Sequence, residues 1–315
     1  MTRKPVSSAT PDSMLATMGA KSTMGGLSRR SLMRIAALGG GVVFASALPG
    51  RRPLAAGMDD FYFIQLSDLH WGFNDPKVNP DTKGSLEKAI AAVNAAERQP
   101  DFIVFTGDLT HMTKDPAERH KRMTEVKAML GGLNNKNHIY LAGEHDAGGD
   151  AGKAFMEVFG KLNYTFDHKG LHFIALDNAS DPKAQLGEAQ LQWLAADLKG
   201  RDPNSPIVVL AHRPLFDLKP EWDWATKDGA QAVALLQPFK HVTVFYGHVH
   251  QEITKQDGNV VHISARSAMY PLPSPPTPGK KAPLAWDAAA ADHGIGWREI
   301  ETGMPMLKVE DHPTV

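Results

Sequence analysis

A mixed α/β fold is predicted by three features of this 315-residue sequence. Short apolar runs alternate with segments of helical periodicity, two hairpin signals follow later in the chain, and polar clusters close the apolar runs instead of interrupting them. The composition, 42% hydrophobic and 22% charged, is that of a globular protein and argues against collagen, coiled coil and disorder.

The elements follow in order. Phe61-Tyr62-Phe63-Ile64-Gln65-Leu66 is dense in aromatic and branched residues and predicts a first strand. Residues 86–99 place Leu86, Ile90 and Val93 at helical spacing and stop before Pro100, which predicts a helix. Residues 101–105 read as a buried strand running to Gly107. Residues 116–130 read as a helix with Pro116 in its first turn, where a missing N–H does little harm. Residues 138–141 form a third strand that again meets a glycine, Gly143. Segments 164–166 and 171–176 predict a hairpin with Gly170 supplying the turn. Residues 187–199 form an amphipathic helix around Leu191, Trp193, Leu194 and Leu198, and a further helix is expected to begin near Ala151. Residues 207–210 and 242–245 are two more buried strands, and 253–255 with 260–264 make a second hairpin around Asp257-Gly258. Six prolines within 271–283 predict an irregular surface loop. No internal repeat is found.

Charge is unevenly distributed. Residues 1–56 hold eight of the 34 basic side chains and one of the 35 acidic ones, so the remainder carries 26 against 34, a net charge of −8. Such an acidic body offers no electrostatic footprint for nucleic acid, and no nucleic-acid partner is expected. All 14 histidines lie after residue 56, and there is no cysteine, which excludes disulfides, thiolate nucleophiles and iron–sulfur clusters. Nothing in the sequence sets an oligomeric state.

The amino-terminal segment has three parts. Ser28-Arg29-Arg30-Ser31-Leu32-Met33 precedes a 14-residue apolar run (35–48), followed by Arg51, Arg52 and the small residues Ala55-Ala56-Gly57. This is the layout of a secretory signal, and the run is short of the ~20 residues that span a bilayer. The arginine pair resembles the bacterial twin-arginine export signal. That resemblance implies export of folded protein by the twin-arginine machinery, cleavage near Ala56, a periplasmic mature domain (57–315) and no stable membrane span after processing.

Five polar clusters sit where the apolar strands end: Asp68-Leu69-His70, Gly107-Asp108, Gly143-Glu144-His145-Asp146, His212, and Gly247-His248-Val249-His250. In open α/β sheets the carboxyl ends of strands form the ligand crevice. Carboxylates and imidazoles gathered at one rim suit Mn, Fe, Zn or Ni, and two metals roughly 3.5–4 Å apart can activate a water and stabilise both the attacking and leaving oxygens of a phosphate ester.

In this order and spacing the clusters resemble the calcineurin-like metallophosphoesterase superfamily, whose series runs Asp-x-His, Gly-Asp, Gly-Asn-His-Asp/Glu, an isolated His and Gly-His-x-His. The resemblance implies two mixed β-sheets packed as a sandwich and flanked by helices. It implies one metal held by Asp68, His70, Asp108 and His250, and a second by Asp108, Glu144, His212 and His248, with Asp108 bridging. His145 would donate a proton to the leaving oxygen, and Asp146 would either orient His145 or cap the helix near Ala151. The implied activity is an exported phosphoesterase acting on a small phosphodiester or phosphomonoester by a metal-activated water. Residues 186–198 and the Gly-His-Val-His cluster are similar to the branch containing bacterial cyclic-nucleotide phosphodiesterases.

Two departures modify this expectation. Glu144 replaces an Asn, adding a charge and a methylene. Three carboxylates against two divalent ions leave +1, which predicts weaker attraction of substrate anions and easier retention of a trivalent ion such as Fe³⁺. The competing reading is a catalytically weak or silent metal-binding module in which the longer side chain displaces the second metal. His111 stands three residues after Asp108, where purple acid phosphatases place a tyrosine ligand, which argues against that subclass. His111 is expected beside the ligands or on the surface, and the remaining histidines are expected to be structural. Arg266 is a candidate phosphate partner; Trp222 and Trp224 are candidates for base stacking or for buried packing.

Overall fold

Every residue of β1 (Phe61–Leu66) is buried, and its period-two alternation decides how the layers stack. Tyr62, Ile64 and Leu66 pack with Ile103 and Phe105 against helices, whereas Phe61 and Phe63 join Phe102, Val104, Phe173, Val208 and Phe245 on the opposite face. A strand apolar on both sides must be covered on both sides, and here it is. The computed structural model of the chain describes residues 60–274, 281–290, 293–303 and 306–314. The expected export signal and its expected cleavage near Ala56 lie outside them.

In chain order the elements are β1, α1 (Thr82–Asn94), β2 (Ile103–Thr106), α2 (Pro116–Leu130), β3 (His138–Leu141), α3 (Glu144–Ala147), α4 (Lys153–Phe159), β4 (Tyr164–His168), β5 (Leu171–Ala175), α5 (Gly187–Leu198), β6 (Ile207–Leu210), α6 (Gly229–Leu236), β7 (Val242–Tyr246), β8 (Thr254–Asp257), β9 (Val260–Ser264), β10 (Gly296–Gly303) and β11 (Met306–Pro313). Two mixed sheets result, ordered β11-β10-β1-β2-β3 and β4-β5-β6-β7-β9-β8. β1, β2 and β3 run parallel, as do β5, β6, β7 and β9, so their carboxyl ends emerge together within each sheet. Phe63, Phe173, Val208 and Phe245 seal the layer between the sheets. Leu86, Val93, Met123, Val126 and Phe155, from α1, α2 and α4, cover the first sheet, and Leu191, Leu194, Val233 and Leu236, from α5 and α6, cover the second. This is the predicted flanked pair of sheets. Among the described residues no helix is long and apolar enough to cross a membrane.

Several predicted boundaries move. α1 starts four residues before the expected Leu86, because Asp81 accepts the Gly84 amide at 3.0 Å and caps it early. It also ends at Asn94, five residues short, where the Ala95 amide is shared between the Ala91 and Ala92 carbonyls. The second strand is shifted to Ile103–Thr106, since Asp101 bonds to Tyr62 O while Thr106 continues the pairing with Leu141. The β4–β5 turn is Lys169-Gly170, both at positive φ (45° and 83°), the geometry a two-residue hairpin requires. Four elements were not expected: α3, α6, β10 and β11. β10 lies antiparallel beside β1 with Ile300 opposite Phe63, and this long-range pairing has no local signature.

Candidate metal centre

All five polar clusters lie just beyond strand ends: Asp68 and His70 after β1, Asp108 after β2, Glu144 after β3, His212 after β6, His248 and His250 after β7. The first two stretches remain paired beyond their strands, with Asp68 N bonded to Gly107 O (3.0 Å) and His70 N to Asp108 O (2.9 Å). Bonds between the sheets close the rim. The His248 amide donates to Asp68 Oδ2 at 3.0 Å, and the His212 ring bonds to Thr106 O at 2.7 Å. Asp68, His70, Asp108, His248 and His250 all adopt left-handed backbone, five of the ten non-glycine residues that do so among those described. Such conformations cost of order 1 kcal/mol or more each and persist where surrounding structure enforces them, typically at functional sites. Gly107, at φ +95°, must be glycine on two counts: a Cβ would also enter the His212 ring.

The donors form two groups. Ligand atoms of Asp68, His70 and His250 lie within 4.8 Å of one another, as do those of Asp108, Glu144, His212 and His248. Asp108 faces both groups: its Oδ1 accepts the His145 amide at 2.8 Å, while Oδ2 stands 3.4 Å from His212 Nε2 and 3.7 Å from His70 Nε2. The hydrogen bonds around the rings fix which nitrogens are bare. His212 Nδ1 points at the Thr106 carbonyl and His250 Nδ1 at the Tyr270 carbonyl (2.6 Å), and a carbonyl only accepts. Each Nδ1 therefore carries the hydrogen, and in the neutral ring Nε2 is a lone pair. His212 Nε2 then lies 2.9 Å from Glu144 Oε2, two acceptors face to face, and neither has a hydrogen-bond partner. His248 Nδ1 lies 2.8 Å from Glu144 Oε1. Buried lone pairs converging without protons between them call for cations, so the residues fit the metal ions that the sequence reading expects.

The charges around the cluster show how strongly it draws positive charge. Burial opposes ionisation of Glu144, but His248 and His212 outweigh it and hold the carboxyl well below its usual range. Asp68 is likewise lowered, against burial, chiefly by His250. Burial with the neighbouring rings of His145 and His250 drives His70 well below its normal value, and burial brings His248 down to about 4 against the pull of Glu144. His212 goes the other way: despite burial, Asp108 and Glu144 raise it well above its ordinary value, so the position between those carboxylates takes either a proton on Nε2 or a metal ion in its place.

Glu144 fills the space between His212 and His248 and displaces neither ring. A residue missed from the sequence completes this corner: Arg213 is 6% exposed and its Nη1 lies 3.6 Å from Glu144 Oε1. Its positive charge lies beside the extra carboxylate. Arg213 follows His212 directly, and that adjacency was the available signal. Tyr270 was missed as well. Its ring stacks on His70 at 4.8 Å, and its hydroxyl lies 3.2 Å from His70 Nε2.

His145 borders both groups, its ring 4.7 Å from that of His70 and its Nε2 3.9 Å from Asp108 Oδ2, and is about one-fifth exposed. Its Nδ1 accepts the Met112 amide at 3.0 Å, which leaves the hydrogen on Nε2 facing the site. Asp146 departs from both expected roles. Its carboxylate accepts the amides of Leu109, Thr110 and Gly143 and the Thr110 hydroxyl, all at 2.8–3.0 Å. It thereby clamps α3 to the segment after β2, and His145 is not among the groups that it bonds. α4 is capped by Asp150, which accepts the Lys153 and Ala154 amides. Burial and the charge of Asp108 push the Asp146 carboxyl up to about 6.

The other candidates settle as follows. His111 is half-buried, with its ring 4.8 Å from that of His145 and 5.5 Å from that of His70, and burial brings it down to about 4. Trp222 and Trp224 pack edge-to-face at 4.6 Å in a buried cluster, the packing role. Arg266 is ion-paired with Glu252. His120 pairs with Glu157 on the surface, His168 with Asp101, and His172 bridges Asp167 and Asp197.

Residues 61–252 match the model of the calcineurin-like phosphoesterase family. The chain is 27% identical over 217 residues to the serine/threonine-protein phosphatase CPPED1 of Danio rerio, covering 61% of this chain and 70% of that protein. It is 29% identical over 166 residues to the cAMP/cGMP dual specificity phosphodiesterase MT0825 of Mycobacterium tuberculosis, covering 50% of this chain and only 51% of that relative. The crystal structure of a dimetal phosphatase from Danio rerio shares the fold, with a TM-score of 0.57 at 12% identity, covering 81% of this chain and 99% of that one.

Proposed function

The chain belongs to the calcineurin-like phosphoesterase family, and we propose that it is an exported, dinuclear-metal-dependent hydrolase of small phosphodiesters or phosphomonoesters. One observation carries this reading: seven donors from five strand ends fall into two adjacent groups, with Asp108 Oδ2 of one standing 3.7 Å from His70 Nε2 of the other. The similar proteins bear names of both a phosphatase and a cyclic-nucleotide phosphodiesterase, which supports the ester class and leaves both linkages within it.

Bound in the two groups, divalent cations would supply Lewis acidity toward the phosphate and lower the pKa of a water. The chain's own residues do the rest. Asp108, tied at Oδ1 by the His145 amide, holds Oδ2 between the groups. The Thr106 and Tyr270 carbonyls fix the ring orientations of His212 and His250. His145 presents Nε2–H at the rim, where a leaving oxygen would take a proton, and the Met112 amide keeps it in that tautomer.

Assay of the mature protein with Mn²⁺ against bis-p-nitrophenyl phosphate, p-nitrophenyl phosphate and cyclic AMP tests the proposal. Turnover abolished in Asp108→Asn and His250→Ala but kept in His120→Ala supports it; no turnover with any metal counts against it. Export rests on the sequence between Ser28 and Gly57 alone. Amino-terminal sequencing of protein from the periplasmic fraction should find a start near Ala56; a start at Met1 removes that part.

A further inference from the structure

Beside Glu144 opens a cavity of about 620 Å³ that none of the seven donors except Glu144 lines. Its charged lining is asymmetric in what it has available. The Asp181 carboxylate already accepts from the Lys183 amide and the Gln185 side chain, and the Asp223 carboxylate is paired with Lys227. Beside the exposed Lys183, two braced cations remain on the lining. Arg213 is buried and anchored by the loop after it, donating from Nε to Ala225 O at 3.5 Å and from Nη2 to Asp223 O, so its Nη1 edge is the one turned to Glu144 and the cavity. Lys281 lines the same cavity from the proline-rich loop. Its ammonium donates to Trp222 O at 3.3 Å, lies 5.7 Å over the Trp224 ring, and feels the charges of both Glu144 and Asp108. An Arg fork held rigid by carbonyls and a Lys braced on a buried tryptophan pair make a preformed receptor for an anion.

We propose that this cavity is a subsite for a second anionic group of the substrate, bound by Arg213 and Lys281, so that the preferred ester carries a further phosphate beside the one cleaved. This rests on the phosphoesterase reading and narrows its substrate class to diphosphate-type compounds. Arg213 thus both pairs with Glu144 and presents donors to the ligand, whereas Lys281, hydrogen-bonded to the Trp222 carbonyl, senses the metal groups only through the charges of Glu144 and Asp108.

Equilibrium binding to the Mn²⁺-loaded protein separates the possibilities, with methylenediphosphonate carrying two phosphonate groups and methylphosphonate carrying one. The wild-type ratio of the two Kd values should fall at least about tenfold in Lys281→Met and again in Arg213→Lys, a change of about 1.4 kcal/mol in selectivity each. Lys227→Met, whose ammonium is committed to Asp223, should keep the wild-type ratio. An unchanged ratio in Lys281→Met overturns the subsite, and so does an equal loss for both probes or an equal loss in Lys227→Met, since each indicates only general anion attraction. Because the readout is binding, failure of the phosphoesterase reading shows separately, as absence of turnover with any ester while the binding ratios hold.

Discussion

The Nε2 atoms of His70 and His250 stand 3.2 Å apart, although the bond from His250 Nδ1 to the Tyr270 carbonyl leaves the His250 Nε2 without a hydrogen. Asp68 Oδ1 lies 3.3 Å from the same His250 nitrogen. Such an arrangement is at rest when a cation occupies it. Replacing His250 with Ala should lower Mn²⁺ affinity and reduce kcat/KM by about 100-fold or more, roughly 2.7 kcal/mol of transition-state stabilisation. Isothermal titration alongside the Mn²⁺ assay measures both; a variant that keeps wild-type affinity contradicts the assignment.

Glu144 supplies one oxygen to His248 and the other to His212, and an Asn in its place would still offer an amide oxygen. With Mn²⁺, Glu144→Asn should therefore retain activity within about tenfold of wild type or exceed it. Loss beyond that in steady-state kinetics would give the carboxylate a role its charge and position do not explain. Metal analysis of wild-type protein purified without added metal addresses the related expectation of a trivalent ion.

At Gly143 a Cβ would strike both the carboxylate and the backbone amide of Asp108, although its φ of −101° suits any residue. The clash alone is the constraint. Gly143→Ala should displace α3, with Glu144 and His145, from Asp108 and weaken Mn²⁺ binding by about 10- to 100-fold, the scale of disturbed ligand support. Calorimetric titration that finds wild-type affinity would show that the rim yields at no cost.

His262 is buried on β9 with both ring nitrogens unpartnered, and burial depresses it to about 4, against the pull of Asp257. Unfolded, it titrates near the ordinary 6.5. As pH falls from about 6.5 to about 4 the unfolded chain takes up a proton that the folded one refuses, so stability drops across that window and this contribution levels off below it. The loss amounts to about 3 kcal/mol. In His262→Leu, denaturant melts across the window should show a slope shallower by about that amount; parallel curves for the two proteins contradict the assignment.

The donors were legible because each closes an apolar strand. Reading where Asp68, Asp108, His212 and His250 sit required only local pattern, and parallel strands bring their ends together. What escaped depends on the packed chain. Arg213 matters through Glu144, which lies 69 positions earlier in sequence on the other sheet. Asp146 looked like an acid beside a histidine, whereas its four donors come largely from the segment after β2. β10 and β11 alternate polar and apolar residues weakly and are held by register with β1, and α6 is an apolar stretch too short to declare its period. Lys281 sits in a loop that the prolines marked as irregular but whose direction they did not set.

The most direct test of two cations sharing Asp108 is the metal stoichiometry of Mn²⁺-equilibrated, gel-filtered protein by mass spectrometry. Two ions per wild-type chain are expected, with one lost in His212→Ala and one in His250→Ala. A wild-type chain that retains one ion or none, or single variants that retain both, would contradict the account.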